Sequence, residues 1–413
     1  MKCVFVNHAH PDVAHVSSMR LSCLAHAMAR RGHRVVLLTG ESPRTPGIGM
    51  RPGDLAGLMA GHDWTSPLVV PVADGPPQQG NGSDRKLPSL MRRIRTAWRL
   101  LCGEGVNGTW VRSATPMVQA LAEAFRPDVA WGTFGNTSNL LLAQSVGRVA
   151  NCPWVADIKD NWHEFVPRGL RAAVAWRFRD VAALTSNAHF HLAIVNRLFR
   201  KSRATVVYSG VADAFYGLHV GDQARQRSRE IVLVGSTYSA QNLGRFLAAL
   251  ATWMNALSMP ERAGLVFRYA GSDSRQVVRA LDENPLPCEV VISTQLTLTE
   301  LSELTRGALA NCYLAAATGF HHKLLELLVV GRPVICFPGE QAESMELASQ
   351  STTPFHVCRD ERDLLAAFDA VWRARARPGE RGAVPKWRWD DMVGGLEDFL
   401  GDVVRSGGAR CAA

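Results

Sequence analysis

A strand-length apolar run, a polar loop and a helical run follow one another from the first residues of this chain. Residues 2–7 read as a strand, residues 17–31 as a helix stopped at Gly32, and residues 34–39 as a second strand. Two strands joined through a helix pair in parallel, so this opening already commits the chain to a parallel sheet covered on both faces. The alternation continues with strands at 127–131 and 153–157, and residues 204–215 read as a strand and linker. A second series starts at 230–235, with further strands expected at 265–270, 289–293, 310–315 and 333–337. Residues 42–83, rich in Pro and Gly, read as irregular.

At 413 residues the chain exceeds one ordinary core. The expected fold class is α/β, with two doubly wound parallel-sheet, Rossmann-like domains facing each other across a cleft. Their expected limits are 1–210 and 211–385, with the run 386–413 returning to the N-terminal domain. Ligands of such sheets bind beyond the carboxyl ends of the strands, so the polar loops there are the first place to look for chemistry.

Composition narrows the class. Hydrophobic residues at 47% and charged residues at 20% fit a globular α/β protein. No apolar run reaches the roughly 18 residues needed to span a bilayer, and the polar-interrupted start does not resemble a signal peptide. The nine cysteines are scattered without a C-x-x-C pair, which fits reduced thiols. The expected location is therefore cytoplasmic, including the inner face of a membrane. A net charge of +9 favours acidic partners. No zinc-finger spacing, RNP-type aromatic motif or basic heptad region directs that charge to nucleic acid, so none is expected as a partner.

The densest local pattern runs from Thr318 to Ile335. It reads as a turn at Gly319, the pair His321 and His322, a short helix with Lys323 and Glu326 one turn apart, a stop at Gly331 and a strand. A helix start behind Gly319 would offer free N–H groups to a phosphate and Lys323 would add a point charge, while Glu326 could accept two hydroxyls. The same spacing equally describes a surface ion pair, and spacing alone leaves both open. Around Gly235, Ser236 and Thr237, the loop lets a backbone approach a phosphate, or is an ordinary strand-to-helix turn. Asp157, Lys159 and Asp160 lie at the end of another strand, as catalytic polar groups or as a helix cap. His8, His10 and His15 occupy the first loop, where acceptor contacts or simple exposure would both fit.

The 318–335 segment resembles the E-x7-E signature of retaining family-four glycosyltransferases, and more closely their P-x-K-L-x-E-Y-L-A-x-G-R-P-V variant. Other matches occur in the family's order: Arg31-Gly32-His33 before Val35, Ser17-Ser18-Met19-Arg20, Pro127-Asp128-Val129, and Pro153-Trp154 through Asp157 to Trp162. They continue with Val206 through Ser209-Gly210-Val211 and with Gly235 through Gln241-Asn242-Leu243. The resemblance implies a GT-B fold and a nucleotide-sugar donor of UDP or GDP type, used as a substrate, with no cofactor. It implies that Glu326 meets the donor ribose and Lys323 the diphosphate, within a donor set of Gly235, Ser236, Thr237, Gln241, Thr318, Gly319, His321, Lys323 and Glu326. It further implies transfer with retention to a glycan or lipid-linked acceptor in polysaccharide assembly; Ser18 and Arg20 of the matched segment, with His8 and His15 of the first loop, make up the expected acceptor side.

Two departures stand out. Thr318 occupies the place of the first acid, and Thr237 and Gln241 stand where many relatives carry Arg and Lys, which leaves Lys323 and Arg245 to supply positive charge. No D-x-D and no P-loop pattern occurs, so no metal is expected. A nucleotide-sugar epimerase on the same scaffold and a nucleotide-binding scaffold without turnover remain alternatives.

Residues 87–101 place Leu87, Leu90, Met91, Ile94, Trp98 and Leu101 on one helical face, with Arg92, Arg93, Arg95 and Arg99 on the other. An anionic membrane surface and a core with a solvated basic face are both consistent with that pattern.

Overall fold

The computed structural model describes residues 1–413 apart from 14, 75–88, 218–228, 295, 317–318, 376–383 and 412–413, and apart from the side chains of 89, 90, 92, 93 and 408–411. Two compact units emerge, Met1–Gly210 together with Trp389–Ala413, and Val211–Arg388.

The first unit holds seven strands: β1 (Lys2–Asn7), β2 (Arg34–Gly40), β3 (Leu68–Val72), β4 (Val129–Thr133), β5 (Trp154–Ile158), β6 (Ala183–Ser186) and β7 (Ala204–Val206). Their order is β3-β2-β1-β4-β5-β6-β7, and every pairing is parallel. Both faces are covered, which is why β4 and β5 are buried along their whole length. On one face Trp110, Met117 and Val146 pack from the helices Gly108–Ala120 and Thr137–Val149. On the other, Leu21, Leu24 and Met28 of the helix Val16–Arg30 meet Val393, Leu396, Leu400 and Val403 of the helix Trp389–Cys411.

Residues 42–83 are not irregular throughout. They contain the helix Leu55–Gly61 and the outermost strand β3, in which Leu68, Val70 and Val72 point inward. Pro71 is tolerated because the strand lies at the sheet edge, where its missing N–H breaks no further ladder. Its carbonyl accepts the Met50 N–H at 2.7 Å.

The second unit holds β8 (Glu230–Val234), β9 (Val266–Ala270), β10 (Glu289–Ser293), β11 (Ala310–Leu314), β12 (Val334–Phe337) and β13 (Phe355–Val357), in the order β10-β9-β8-β11-β12-β13 and again all parallel. The helix Ala240–Ala256 is capped by the Ser239 side chain, which accepts the Asn242 N–H. It packs Phe246 and Trp253 against Phe368 and Trp372 of the helix Glu361–Ala374. The chain enters and leaves this unit side by side: Val211 N–H donates to the Trp387 carbonyl at 2.7 Å, and Val211 bridges Arg388.

Candidate functional site

In the second sheet the strand order reverses between β8 and β11, so the loops after these two strands part and leave a crevice at the carboxyl edge. Gly235 opens the loop after β8 with φ +86°, a left-handed conformation that glycine adopts without steric cost. A Cβ at this position would collide with the Lys323 ammonium. The glycine therefore makes room for the cation as well as for the turn. Tyr269 fixes the loop by donating its hydroxyl to the Gly235 carbonyl at 2.9 Å. Asp273 accepts both the Thr237 N–H at 2.9 Å and the Thr237 hydroxyl at 3.2 Å. Tyr238 follows with φ +53°, a conformation uncommon for a residue with a side chain, and its ring stays 55% exposed.

From the β11 side come the residues of the short helix. It begins at Lys323, not directly behind Gly319, and runs Lys323–Val330 with Glu326 in its first turn. The reason is local: the first turn is closed by Leu324 N–H donating to the His321 carbonyl at 2.9 Å and Leu325 N–H to the His322 carbonyl at 3.0 Å. Among the described residues a Cβ on Gly319 would meet only the Ala316 Cβ, at 4.0 Å, an ordinary contact. Lys323 turns back across the crevice to the Val234 carbonyl at 3.2 Å, with its ammonium 5.6 Å from the Tyr238 ring centroid. Glu326 is buried and lies 3.5 Å from His322. Lys323 and Glu326 are thus not a surface ion pair. Burial pushes the Lys323 ammonium down to about 8, while the nearby carboxylates of Glu326 and Asp273 pull the other way.

His321 sits in a buried frame that the sequence did not announce. Its Nε2 accepts the Ala316 N–H at 2.9 Å, so the neutral ring carries its proton on Nδ1, which lies 3.3 Å from Glu340 Oε2. Glu340 also accepts the Tyr313 hydroxyl at 2.6 Å and the Gln341 N–H at 2.8 Å. Burial pushes the Glu340 carboxyl up, but the hydrogen bonds from His321 and Tyr313 outweigh it and hold the group below its usual value. His321 packs between Tyr238 and Tyr313, at 5.5 and 5.6 Å between ring centroids. Ser236 lies in the same loop as Gly235, and Gln241 is exposed at the start of the following helix. Thr318 lies outside the described residues. Arg245, expected to add charge, is committed to Glu361 at 2.5 and 3.1 Å and stacks over Phe337. Asp273, Tyr238 and Glu340 were missed, although each follows the carboxyl end of a strand closely enough that its position alone could have flagged it.

The expected residues of the first unit separate into two groups. Asp157 is fully buried and accepts Arg20 Nε at 3.0 Å, Arg20 Nη2 at 2.8 Å and the Thr185 hydroxyl at 2.9 Å. Arg20, equally buried, also donates to Ser209 at 3.0 Å, and Trp131 donates to Thr185. This ion pair ties the first helix to β5 and the end of the unit, so Asp157 and Arg20, expected among the catalytic and acceptor-side residues, are packed inside it. Ser18 is likewise buried, donating to the carbonyls of Val13 and His15.

The second group is not uniformly exposed: Lys159 and His10 are buried, and His8 and Asp160 are half-buried. His15 is exposed and caps its helix through Nδ1, which accepts the Ser17 N–H. Although the residue is exposed, desolvation by the surrounding protein lowers the pKa of its ring; the nearby Lys159 adds to this and Asp160 opposes it. Lys159 and Asp160 pair at 2.5 Å. His8 lies at the β1/β4 reversal, its N–H held by Asn139 and its ring 3.4 Å from Asp74. His10 accepts the Asp12 N–H through Nδ1.

These two doubly wound parallel sheets with flanking helices define a GT-B-like α/β fold. Among solved structures, the sucrose-phosphate synthase of Thermosynechococcus elongatus is similar with a TM-score of 0.58 and 14% identity, covering 99% of each chain. Anabaena HepE, solved with UDP and glucose, is similar with a TM-score of 0.57 and 13% identity over 100% of this chain and 98% of that one. The UDP-GlcNAc 2-epimerase of Methanocaldococcus jannaschii is similar with a TM-score of 0.53 and 10% identity, over 96% and 99%. No family model matches the sequence, and no curated protein does. At such identities the likeness establishes the fold.

Proposed function

We propose that this chain moves a sugar from a UDP- or GDP-type donor to a hydroxyl of a glycan, glycolipid or related acceptor, with retention. The observation that carries the reading is the convergence of Lys323 with the Gly235 loop at the sheet reversal, with Glu326 one turn further on. In this reading the Lys323 ammonium stabilises charge that grows on the leaving diphosphate, and Glu326 accepts ribose hydroxyls. The acceptor hydroxyl attacks the anomeric carbon as the bond to the donor oxygen breaks, and its proton passes to the departing phosphate on the same face. No protein base is needed for that step.

The solved GT-B-like neighbours include enzymes of both sugar transfer and epimerisation. Incubation of the donor without acceptor separates the two: an altered free sugar nucleotide would establish the epimerase reading. Binding without turnover would make the protein a scaffold.

A thermal-shift panel of UDP-, GDP- and dTDP-sugars identifies the donor, and proton NMR of the product linkage reports retention. In calorimetry Glu326→Ala should lose roughly ten- to a hundredfold in donor affinity. Lys323→Ala should in addition lower turnover at saturating donor. Parent-like values for both variants would sink the proposed donor site.

A further inference from the structure

Two adjoining helices of the first unit carry apolar groups that the sheet core does not use. On the helix Ser89–Leu101, the side chains of Met91, Ile94, Trp98 and Leu101 fall on one stripe. Only Leu101, in the last turn, packs on the core, whereas Met91, Ile94 and Trp98 are 56, 60 and 60% exposed. The helix Arg171–Arg177 lies against it, with Arg177 Nη1 donating to the Leu100 carbonyl at 2.9 Å. That second helix carries Trp176, 66% exposed, with the Arg179 guanidinium 4.0 Å from its ring centroid.

Charge on these segments is one-sided. Residues 89–101 contain Arg92, Arg93, Arg95 and Arg99, and residues 165–179 contain Arg168, Arg171, Arg177 and Arg179, with no Asp or Glu in either. The hydrogen bonds of Arg171 go to the carbonyls of Val166 and His163, and that of Arg177 to the Leu100 carbonyl, so these two cations are held by neutral groups. A second copy of the chain would bring like charges together on this face, which disfavours it as the occupant. Among the described residues no helix is long and apolar enough to cross a membrane. Tryptophans beside arginines are the pairing that suits a headgroup boundary, where apolar rings enter and cations meet phosphate.

We propose that this face docks on an anionic lipid surface, with Ile94, Trp98 and Trp176 entering the boundary and the arginines meeting the headgroups. The proposal goes beyond sugar transfer, and its test does not use the donor site. The full chain is floated with vesicles of phosphatidylcholine alone and with vesicles containing one-third phosphatidylglycerol. It should bind only the latter, and release as salt rises from about 0.1 to about 1 M, which shortens the screening length from about 10 to about 3 Å. Replacing Arg168 and Arg171 together with Gln should weaken binding about thirtyfold, at about 1 kcal/mol per charge. Trp98→Ser combined with Trp176→Ser should weaken it by roughly tenfold or more.

Equal binding to neutral vesicles, indifference to salt, or parent-like binding of either variant would overturn the proposal. So would an absence of vesicle binding accompanied by self-association or capture of an acidic protein. Should the double tryptophan variant lose its cooperative unfolding, the two rings belong to the core and the proposal fails as well.

Discussion

Lys323 shows how one side chain can be held and primed at once. Its ammonium is drawn from water by burial and held by a single carbonyl, with Glu326 and Asp273 near enough to favour the charged form. With a pKa of about 8 the group carries its proton near neutrality and loses it in the mildly alkaline range. An anionic ligand prefers the ammonium, so nucleotide affinity should fall as pH climbs through 8, approaching about tenfold per unit above it. Calorimetry across this range should show the slope in the parent and a flat profile in Lys323→Ala; a flat parent profile would remove Lys323 from the nucleotide. The lysine and Glu326 were readable because they share one helix. Asp273 and Glu340 could be flagged singly by their places after strand ends, but that they share one crevice with Tyr313 was not readable, since each comes from a different loop or strand and only the sheet order brings them together. Arg20 and Asp157 teach the complementary lesson: both lie in segments that match a family motif, yet 137 positions apart in sequence they form a buried pair. Nothing local in either segment distinguishes a substrate contact from an internal tie.

At the scale of the element, periodicity identified the long amphipathic pieces and the central strands, whose apolar runs are unbroken. It failed at the edge strand β3, where Pro71 reads as a breaker although the outermost position tolerates it, and at the short strands β6 and β13, whose three or four residues carry too little pattern. It also placed the start of the short helix too early, because a glycine looks like a turn whether or not its backbone needs one. The terminal helix Trp389–Cys411 depends on its apolar stripe for attachment, and Leu396 at its centre has no exposed surface. Leu396→Ala should therefore destabilise the first unit by about 2–5 kcal/mol through lost burial and the cavity left behind. Chemical denaturation monitored in that unit checks this, and a change below about 1 kcal/mol would mean the helix contributes little.

For the whole molecule, the decisive feature is that the second unit is an insertion whose ends meet. Val211 and Trp387 are hydrogen-bonded, and Gly210 is pressed so close to Trp389 that an added Cβ would lie 2.5 Å from its Cα. Excised residues 211–388 should fold on their own, and a cooperative thermal transition that rises with bound nucleotide would show it. At a ligand concentration about 100 times the dissociation constant, the gain should be about 2.7 kcal/mol. A featureless melt would deny the unit its autonomy.

The same crossing has a consequence for synthesis. Residues 1–210 leave the ribosome first, but one face of their sheet is completed by a helix encoded some 200 residues later. At about 5–20 residues per second that helix arrives about 10–40 s afterwards. In that interval Leu21, Leu24 and Met28 present an unfinished apolar face to water or to whatever chaperone holds the nascent chain. The inserted unit can close over its own core in the meantime, so the part made first is the part finished last.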